Sequence, residues 1–152
     1  MWIYNGKEFD PTDEDIKDFM GFVYLITNNL TGKMYIGKKL LWTPKYKMVK
    51  RKDKTKPSKR TRYLAQSDFR EYWSSSNELL KDVETLGSQN FTREVLHLCP
   101  SKGTLSYMEL REQMDRKVIE SDDYYNGILQ VRIHKSHIKD IDKILMKKDK
   151  DK

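Results

Sequence analysis

Two short runs of strand-forming residues, separated by a turn segment, constrain the fold of this chain most strongly. Residues 22–28 read FVYLITN and residues 33–37 read KMYIG. Both runs are rich in the β-branched and aromatic residues that favour strands. Residues 28–32, NNLTG, supply asparagines and a glycine, which accept the backbone conformations of turns. The pattern predicts a β-hairpin with a five-residue loop.

Signals for two helices and a further strand follow the hairpin. Ser75 and Glu78 have the spacing of a capping box, in front of an apolar pattern at helical spacing that stops at Gly87. Residues 91–98 have strand character. A longer helical pattern covers residues 104–120.

The order of these elements predicts an α+β domain, in which a small, mainly antiparallel sheet is flanked by helices. Residues 128–133 predict a final strand or extended segment. We divide the chain into an acidic N-terminal extension at 1–20 with a short amphipathic helix, a domain at 21–140, and a charged tail at 141–152. A length of 152 residues suits one such domain.

The positive charge of the chain is concentrated in a basic insertion, residues 45–62. This insertion carries a formal charge of +9 within a chain of net charge +7, so the remainder sums to −2. Clustered charge favours a polyanionic partner, because neutralising phosphates releases condensed counterions, whereas charge that only maintains solubility is dispersed. Pro44 and Pro57 argue against one continuous helix here. The predicted nucleic-acid contacts are Lys38, Lys39, Lys45, Lys47, Lys50, Arg51, Lys52, Arg60 and Arg62.

Cysteine and histidine usage excludes several other kinds of site. Cys99 is the single cysteine, so an intrachain disulfide or a zinc site built on several cysteines is impossible. The three histidines, His97, His134 and His137, lack further metal-ligand partners in the sequence pattern. No apolar run approaches the length of a membrane span, and the first residues lack a signal-peptide pattern. These features predict an intracellular, cytoplasmic protein that is not bound to a membrane.

The predicted hairpin carries a tyrosine on each strand, Tyr24 and Tyr35, which either pack in the core or face a common site. Gly21-Phe22-Val23-Tyr24 followed by Tyr35-Ile36-Gly37 resembles the hairpin of GIY-YIG nucleases. Phe22-Val23-Tyr24 stands where Gly-Ile-Tyr is usual in that family, whereas Tyr35-Ile36-Gly37 is intact. Tyr107-Met108-Glu109 and Tyr124-Tyr125-Asn126 are similar to the glutamate and terminal Tyr-Asn of the same family. The resemblance spans residues 21–126 and includes the catalytic part of homing endonucleases, which suggests an origin in a phage or mobile element.

The resemblance implies a metal-dependent endonuclease that hydrolyses phosphodiester bonds. Tyr24 would act as general base, assisted by Tyr35 and by the lysines that follow it, whose charge would stabilise the phenolate. Glu109 would hold one Mg²⁺ or Mn²⁺ ion, a hard cation that suits a single carboxylate supplemented by water and phosphate oxygens. Glu112 is the rival carboxylate, because Ser106 and Glu109 also have capping-box spacing.

The arginine that the family uses on the scissile phosphate has several candidates. Counting back from the serines at 74–76 favours Arg62, with Arg60 and Arg70 as alternatives. Asn126 would orient the glutamate or the hairpin by hydrogen bonding.

The expected partner is double-stranded DNA. Its sequence would be read by the basic insertion, by residues 131–135 or by a homodimer. Two other functions remain open: a nucleic-acid-binding protein on the same scaffold with little or no cleavage activity, and a basic adaptor that binds proteins.

Overall fold

The predicted hairpin forms the centre of the main sheet. The computed structural model describes residues 1–52 and 55–150. Residues 53 and 54 of the basic insertion and residues 151 and 152 of the charged tail lie outside that description. In the hairpin, β3 (Gly21–Asn28) and β4 (Met34–Leu40) pair antiparallel across the five-residue loop 29–33. The hairpin prediction is confirmed.

Three further strands complete a mixed five-stranded sheet. They are β1 (Trp2–Tyr4), β2 (Lys7–Glu8) and β7 (Phe91–Cys99), and the strand order is β2-β1-β7-β3-β4. β7 runs antiparallel to β3 and parallel to β1. The helices described below flank this sheet, so the predicted α+β class with a mainly antiparallel sheet is confirmed.

The N-terminal residues do not form the short helix that the sequence predicts. Residues 13–18 form turns instead, although Ile16 is buried as the apolar pattern requires. The side chains of Thr12 and Asp15 each accept a hydrogen bond from the other residue's backbone, which closes a local turn in place of a helix. The division into an extension, a domain and a tail stays a prediction; within the first of these segments, β1 already lies beside β7.

The first α-helix, α1 (Asn77–Leu86), begins one residue later than predicted. Its N-cap is Ser76, whose hydroxyl accepts a hydrogen bond from the backbone of Leu79, 3.3 Å. The capping box predicted from Ser75 and Glu78 is therefore wrong. The Glu78 carboxylate instead binds the ammonium of Lys33 at 2.7 Å, a contact from the hairpin loop that a local pattern cannot reveal.

The second helix, α2 (Lys102–Asp115), begins and ends earlier than the predicted 104–120. The Ser101 hydroxyl accepts from the backbone of Thr104 and caps the N-terminus. At the other end, Lys117 takes the left-handed conformation with φ 53°, which stops the helix before a short 3-10 turn at Val118–Glu120.

The chain after α2 adds no strand to the sheet at residues 128–133. Of the two alternatives predicted there, a final strand is wrong. The pairing with β4 occurs earlier, as an isolated parallel bridge between Met34 and Tyr124. A 3-10 turn, Lys135–Ile138, then leads to α3 (Ile141–Lys150).

The basic insertion folds into a two-stranded antiparallel ribbon, separate from the main sheet. Its strands are β5 (Trp42–Val49) and β6 (Lys59–Gln66). The prediction that proline prevents a continuous helix is confirmed. Pro44 is tolerated within β5, since both strands of a two-stranded ribbon are edge strands.

Buried side chains form one cluster on each face of the main sheet. The first is aromatic, with Trp2, Phe22, Tyr24 and Phe69 in edge-to-face or tilted contacts. The second is mainly aliphatic and lies under α2, around Val23, Ile36, Leu105 and Met108. Within the described residues, no helix is both long and apolar enough to cross a membrane.

Candidate active site

The two hairpin tyrosines lie on the same face of the sheet. Tyr24 is opposite Gly37 and Tyr35 is opposite Ile26, so the tyrosines are diagonal neighbours across the strands. Their ring centroids are 6.1 Å apart. Tyr24 is 1% exposed within the aromatic cluster, whereas Tyr35 is half-buried and lines a cleft. The sequence left two interpretations of the tyrosines open, packing in the core or facing a common site. Tyr24 packs in the core, whereas Tyr35 faces the cleft.

Gly37 leaves the space that the tyrosine pair occupies. A Cβ atom at this position would lie 2.5 Å from Cζ of Tyr24 and 2.8 Å from Cε1 of Tyr35. Both distances are shorter than non-bonded contacts permit. A side chain here would therefore push apart the two phenols, which explains the glycine after Tyr35-Ile36 in physical terms.

Glu109 faces the same cleft as Tyr35 from the neighbouring helix. The cleft has a volume of about 420 Å³, and its walls also include Ser75, Gln113 and Asn126. The Glu109 side chain is 18% exposed, and the ammonium of Lys38 lies 4.0 Å from its Oε1 atom. Burial raises the pKa of Glu109, and the nearby Lys38 charge opposes that rise.

Glu112, the rival carboxylate, binds partners outside this cleft. Its two oxygens contact Nε2 of His97 at 2.7 Å and Nε of Arg116 at 2.9 Å. Glu112 is not among the residues that line the cleft with Tyr35. Glu109 is thus the carboxylate that the fold brings beside the tyrosine pair.

Burial governs the titration of both tyrosines. Burial raises the pKa of Tyr24 well above its usual value, and the neighbouring Tyr72, Tyr35 and Glu109 raise it further. Burial also raises the pKa of Tyr35, while a hydrogen bond with Ser75 opposes the rise and Glu109 adds to it. Glu109 is therefore close enough to both phenols to disfavour their phenolate forms. Both tyrosines are neutral near pH 7 in the protein alone.

The lysines after Tyr35-Ile36-Gly37 lie against other partners than Tyr24. Lys38 donates a hydrogen bond to Ser106 at 2.8 Å, in addition to its contact with Glu109. Lys39 binds Asp68 at 2.7 Å and holds the pKa of that carboxyl below its usual value. Stabilisation of a Tyr24 phenolate by these lysines stays a prediction, and in the protein alone burial is the largest influence on the pKa of Tyr24.

Tyr72 belongs to this cluster, although no spacing pattern in the sequence pointed to it. Its ring meets that of Tyr24 edge-on, with the ring centroids 6.1 Å apart, and Tyr72 is one of the neighbours that raise the pKa of Tyr24. The ammonium of Lys39 lies over its face, 4.2 Å from the centroid. Tyr72 follows a 3-10 turn, Phe69–Glu71, and long-range packing alone brings it to the hairpin.

Asn126 joins the last part of the domain to the hairpin. Its Oδ1 accepts from the backbone N–H of Ile36 at 3.1 Å, and its Nδ2 donates to the carbonyl of the same residue at 2.8 Å. Next to it, the backbone of Tyr125 donates to Met34 at 2.7 Å. Asn126 was predicted to orient either the glutamate or the hairpin. These hydrogen bonds join it to the hairpin.

The arginine candidates lie away from the cleft. Arg62 is exposed on β6, opposite Tyr46, and Arg60 is on the same strand. Arg70 binds Asp10 at 2.7 Å and the carbonyl of Pro11 at 2.8 Å. None of the three is among the residues lining the cleft with Glu109. A catalytic role for Arg62 stays a prediction, and the cation next to the carboxylate is Lys38.

The donor set at Glu109 fits a hard divalent cation that takes most of its ligands from water and substrate. Within residues 1–52 and 55–150, no cluster of three or more histidine, cysteine or acidic side chains could hold a metal alone. Mg²⁺ commonly binds through one or two carboxylates plus water and phosphate oxygens, so a single half-enclosed carboxylate on a wide cleft suffices. The side chains of Gln113 and Asn126 line the same cleft.

The fold thus places one buried and one half-buried phenol, a carboxylate and an adjacent ammonium close together, with Tyr35 and Glu109 lining one cleft. The sequence model of the family described as "Putative endonuclease segE, GIY-YIG domain" matches residues 2–129. The chain belongs to this GIY-YIG family. Comparison with curated proteins gives no significant match, and comparison with solved structures gives none either.

Proposed function

We propose that the protein is a metal-dependent endonuclease, which hydrolyses phosphodiester bonds of double-stranded DNA inside the cell. The observation that supports this most is the convergence of Tyr35 and Glu109 on one cleft, with Tyr24 directly behind Tyr35. Membership of an endonuclease family supports the reaction class. The charge of the basic insertion supports a polyanionic substrate.

Tyr24 is the proposed general base for the attacking water. Its buried phenol has a raised pKa, so a small fraction of phenolate carries the reaction near neutral pH. The edge-on contact with the Tyr72 ring holds the Tyr24 ring in place. Tyr35, at the wall of the cleft, donates a hydrogen bond to the water or to a phosphate oxygen, while its hydroxyl lies 3.4 Å from Oγ of Ser75.

Glu109 is the proposed ligand of one Mg²⁺ or Mn²⁺ ion. When bound, such an ion would supply positive charge for the pentavalent phosphate and the leaving oxygen. Lys38, 4.0 Å from the carboxylate, adds a fixed positive charge beside the same phosphate. Asn126 positions the hairpin through its pair of hydrogen bonds to Ile36.

A binding protein that does not cut is the second candidate function. The exposure of Arg62, away from the cleft, favours it, because the transition state then lacks the arginine that the resemblance implies. In the nuclease, the ammonium of Lys38 would take the place of this arginine in stabilising the charge of the transition state. A homodimer that cuts both strands stays a prediction.

A cleavage assay with two matched carboxamide variants separates these functions. Supercoiled plasmid is incubated with Mg²⁺ and with the wild type, Glu109→Gln or Glu112→Gln. We expect nicking or linearisation by the wild type and by Glu112→Gln, and a loss of at least about 100-fold in Glu109→Gln. Salt-dependent binding without cutting by the wild type would establish the binding protein instead. Undiminished cutting by Glu109→Gln would remove Glu109 from the site.

A further inference from the structure

The ribbon of β5 and β6 extends from the main sheet as a separate, exposed element. Neither strand makes extensive contacts with any other helix or strand in the described part of the chain. Its base is held by the hydrogen bonds of Gln66 to Asp13, 2.7 Å, and to the carbonyl of Pro11, 3.3 Å. From Lys45 and Leu64 outward, every side chain of the two strands is exposed. Such a ribbon does not serve to bury a core.

The two faces of the ribbon carry different cations. Residues directly opposite in an antiparallel pair project to the same face, and successive residues alternate. The pairs Tyr46 with Arg62 and Met48 with Arg60 therefore share one face, which we call the arginine face. The other, the lysine face, holds the remaining cations of the strands: Lys45, Lys47 and Lys59.

One contact on the arginine face holds an arginine side chain in place in the protein alone. The guanidinium of Arg60 lies over the ring of Tyr46, 3.8 Å from its centroid, diagonally across the two strands. Stacking holds a guanidinium plane while leaving its edge N–H groups available for further hydrogen bonds. Arg62 sits two residues from Arg60 on the same strand. Arg60 and Arg62 thus present two planar donor groups in a row on this face. The exposed side chains of Tyr46 and Met48 lie next to them.

We propose that this ribbon lies in the major groove of double-stranded DNA, with the arginine face toward the base pairs. The inference rests on the proposed function for the identity of the substrate and adds how its sequence is read. A two-stranded ribbon fits the major groove, about 12 Å wide, and arginine binds guanine there through two hydrogen bonds. The ribbon is about 26 Å long at 3.3 Å per residue, enough to follow the groove over several base pairs.

The lysine face supplies the contacts that do not depend on sequence. Lys45, Lys47 and Lys59 have long flexible stems, which reach phosphates on the two sides of the groove. The strands themselves contain five basic residues and no acidic residue, so the whole ribbon complements the charge of the duplex. Arg62 thereby reads bases, a role different from a contact with the scissile phosphate.

The spacing of the two arginines makes the proposal specific. Residues i and i+2 of a strand are about 6.8 Å apart, close to two base-pair steps of about 3.4 Å each. Arg60 and Arg62 should therefore each prefer a guanine, at positions two base pairs apart. The bound sequences should show this pair of preferences even when no bond is cut.

Selection of bound duplexes from a randomised library, in EDTA, tests the proposal without requiring hydrolysis. We expect the wild type to enrich guanine at two positions about two base pairs apart. The double variant Arg60→Lys with Arg62→Lys retains both charges but not the planar fork. It should bind with near wild-type affinity and lose guanine enrichment by about tenfold or more at each position. The matched variant Lys45→Ala with Lys47→Ala should keep the enrichment while its salt dependence falls by about 0.9 per lost phosphate contact.

Three results would overturn the proposal: no enriched base in the wild type, unchanged enrichment in the lysine-for-arginine variant, or equal competition by double-stranded RNA. The last matters because the major groove of A-form RNA is too narrow for side chains to read. Plasmid cleavage by the wild type is scored in a separate reaction. Its absence would contradict the proposed nuclease function while the selection still reports on the ribbon.

Discussion

Substitution of Gly37 by alanine is expected to disturb the tyrosine pair from within. The new Cβ would lie 2.5 Å from Cζ of Tyr24 and 2.8 Å from Cε1 of Tyr35, whereas ordinary contacts begin at 3.4 Å. The rings must therefore move by roughly 1 Å or the strands must separate. Inserting a methyl group into a packed site costs about 1–3 kcal/mol, partly offset by about 0.5–1 kcal/mol because alanine suits a strand better than glycine.

The net loss, about 1.3 kcal/mol at the middle of these ranges, corresponds to a fall in Tm of about 3–5 °C for a domain of this size. A displacement of about 1 Å in a reacting group lowers the cleavage rate by about 100-fold. Thermal unfolding followed by circular dichroism, together with the plasmid cleavage rate at fixed Mg²⁺, measures both effects. Gly127→Ala is the control for stability, since a Cβ there meets nothing within 4 Å, and its Tm should shift by no more than about 2 °C.

The two readouts have separate consequences for the reasoning. A wild-type Tm in Gly37→Ala would contradict the close packing of the phenols around this glycine. A lowered Tm with an undiminished cleavage rate would show that the glycine supports the fold without positioning a reacting group.

Three further predictions concern titration, the hairpin contact and the thiol. The cleavage rate should rise about tenfold per pH unit from pH 7 to 9, because burial raises the pKa of Tyr24 above that range and the phenolate fraction limits the rate; a flat profile would contradict a tyrosine base. At acid pH the rate should fall as Glu109 protonates, at a higher pH than for an exposed glutamate, since burial raises its pKa. Asn126→Ala should lower the free energy of unfolding by about 1–3 kcal/mol, measured in guanidinium chloride, because two backbone groups of Ile36 lose their partner; an unchanged midpoint would refute this. Cys99 should react with a disulfide reagent only on unfolding, since burial raises the pKa of its thiol to about 12; rapid labelling of the native protein would contradict its burial.

Local sequence patterns predicted the elements whose signals are contained within a few residues. The hairpin, the end of α1 at Gly87 and the strand after it follow from alternation, turn residues and one glycine with φ 93°. The resemblance to GIY-YIG nucleases placed Tyr24, Tyr35 and Glu109 in one site, and the fold brings these three side chains close together.

Features set by distant contacts could not be read in this way. The Glu78 carboxylate binds Lys33 from the hairpin loop, so its capping spacing with Ser75 misleads. Residues 128–133 have a strand-like composition, but the sheet edge at β4 is already bridged by Tyr124. Tyr72 reaches Tyr24 through packing between segments 48 positions apart in the sequence numbering. The charge of the basic insertion is visible in the sequence. The separation of the arginine face from the lysine face depends on the register of the two strands.

The rate of cleavage by Tyr24→Phe, measured in a single turnover at saturating DNA and Mg²⁺, tests the central claim most directly. The variant removes one hydroxyl from a fully buried ring and leaves its aromatic contacts in place. We expect the rate to fall by at least about 100-fold, with DNA affinity unchanged and a free energy of unfolding lowered by no more than about 1.5 kcal/mol. A rate close to that of the wild type would show that this phenol takes no proton, and the proposed hydrolytic site would lose its base.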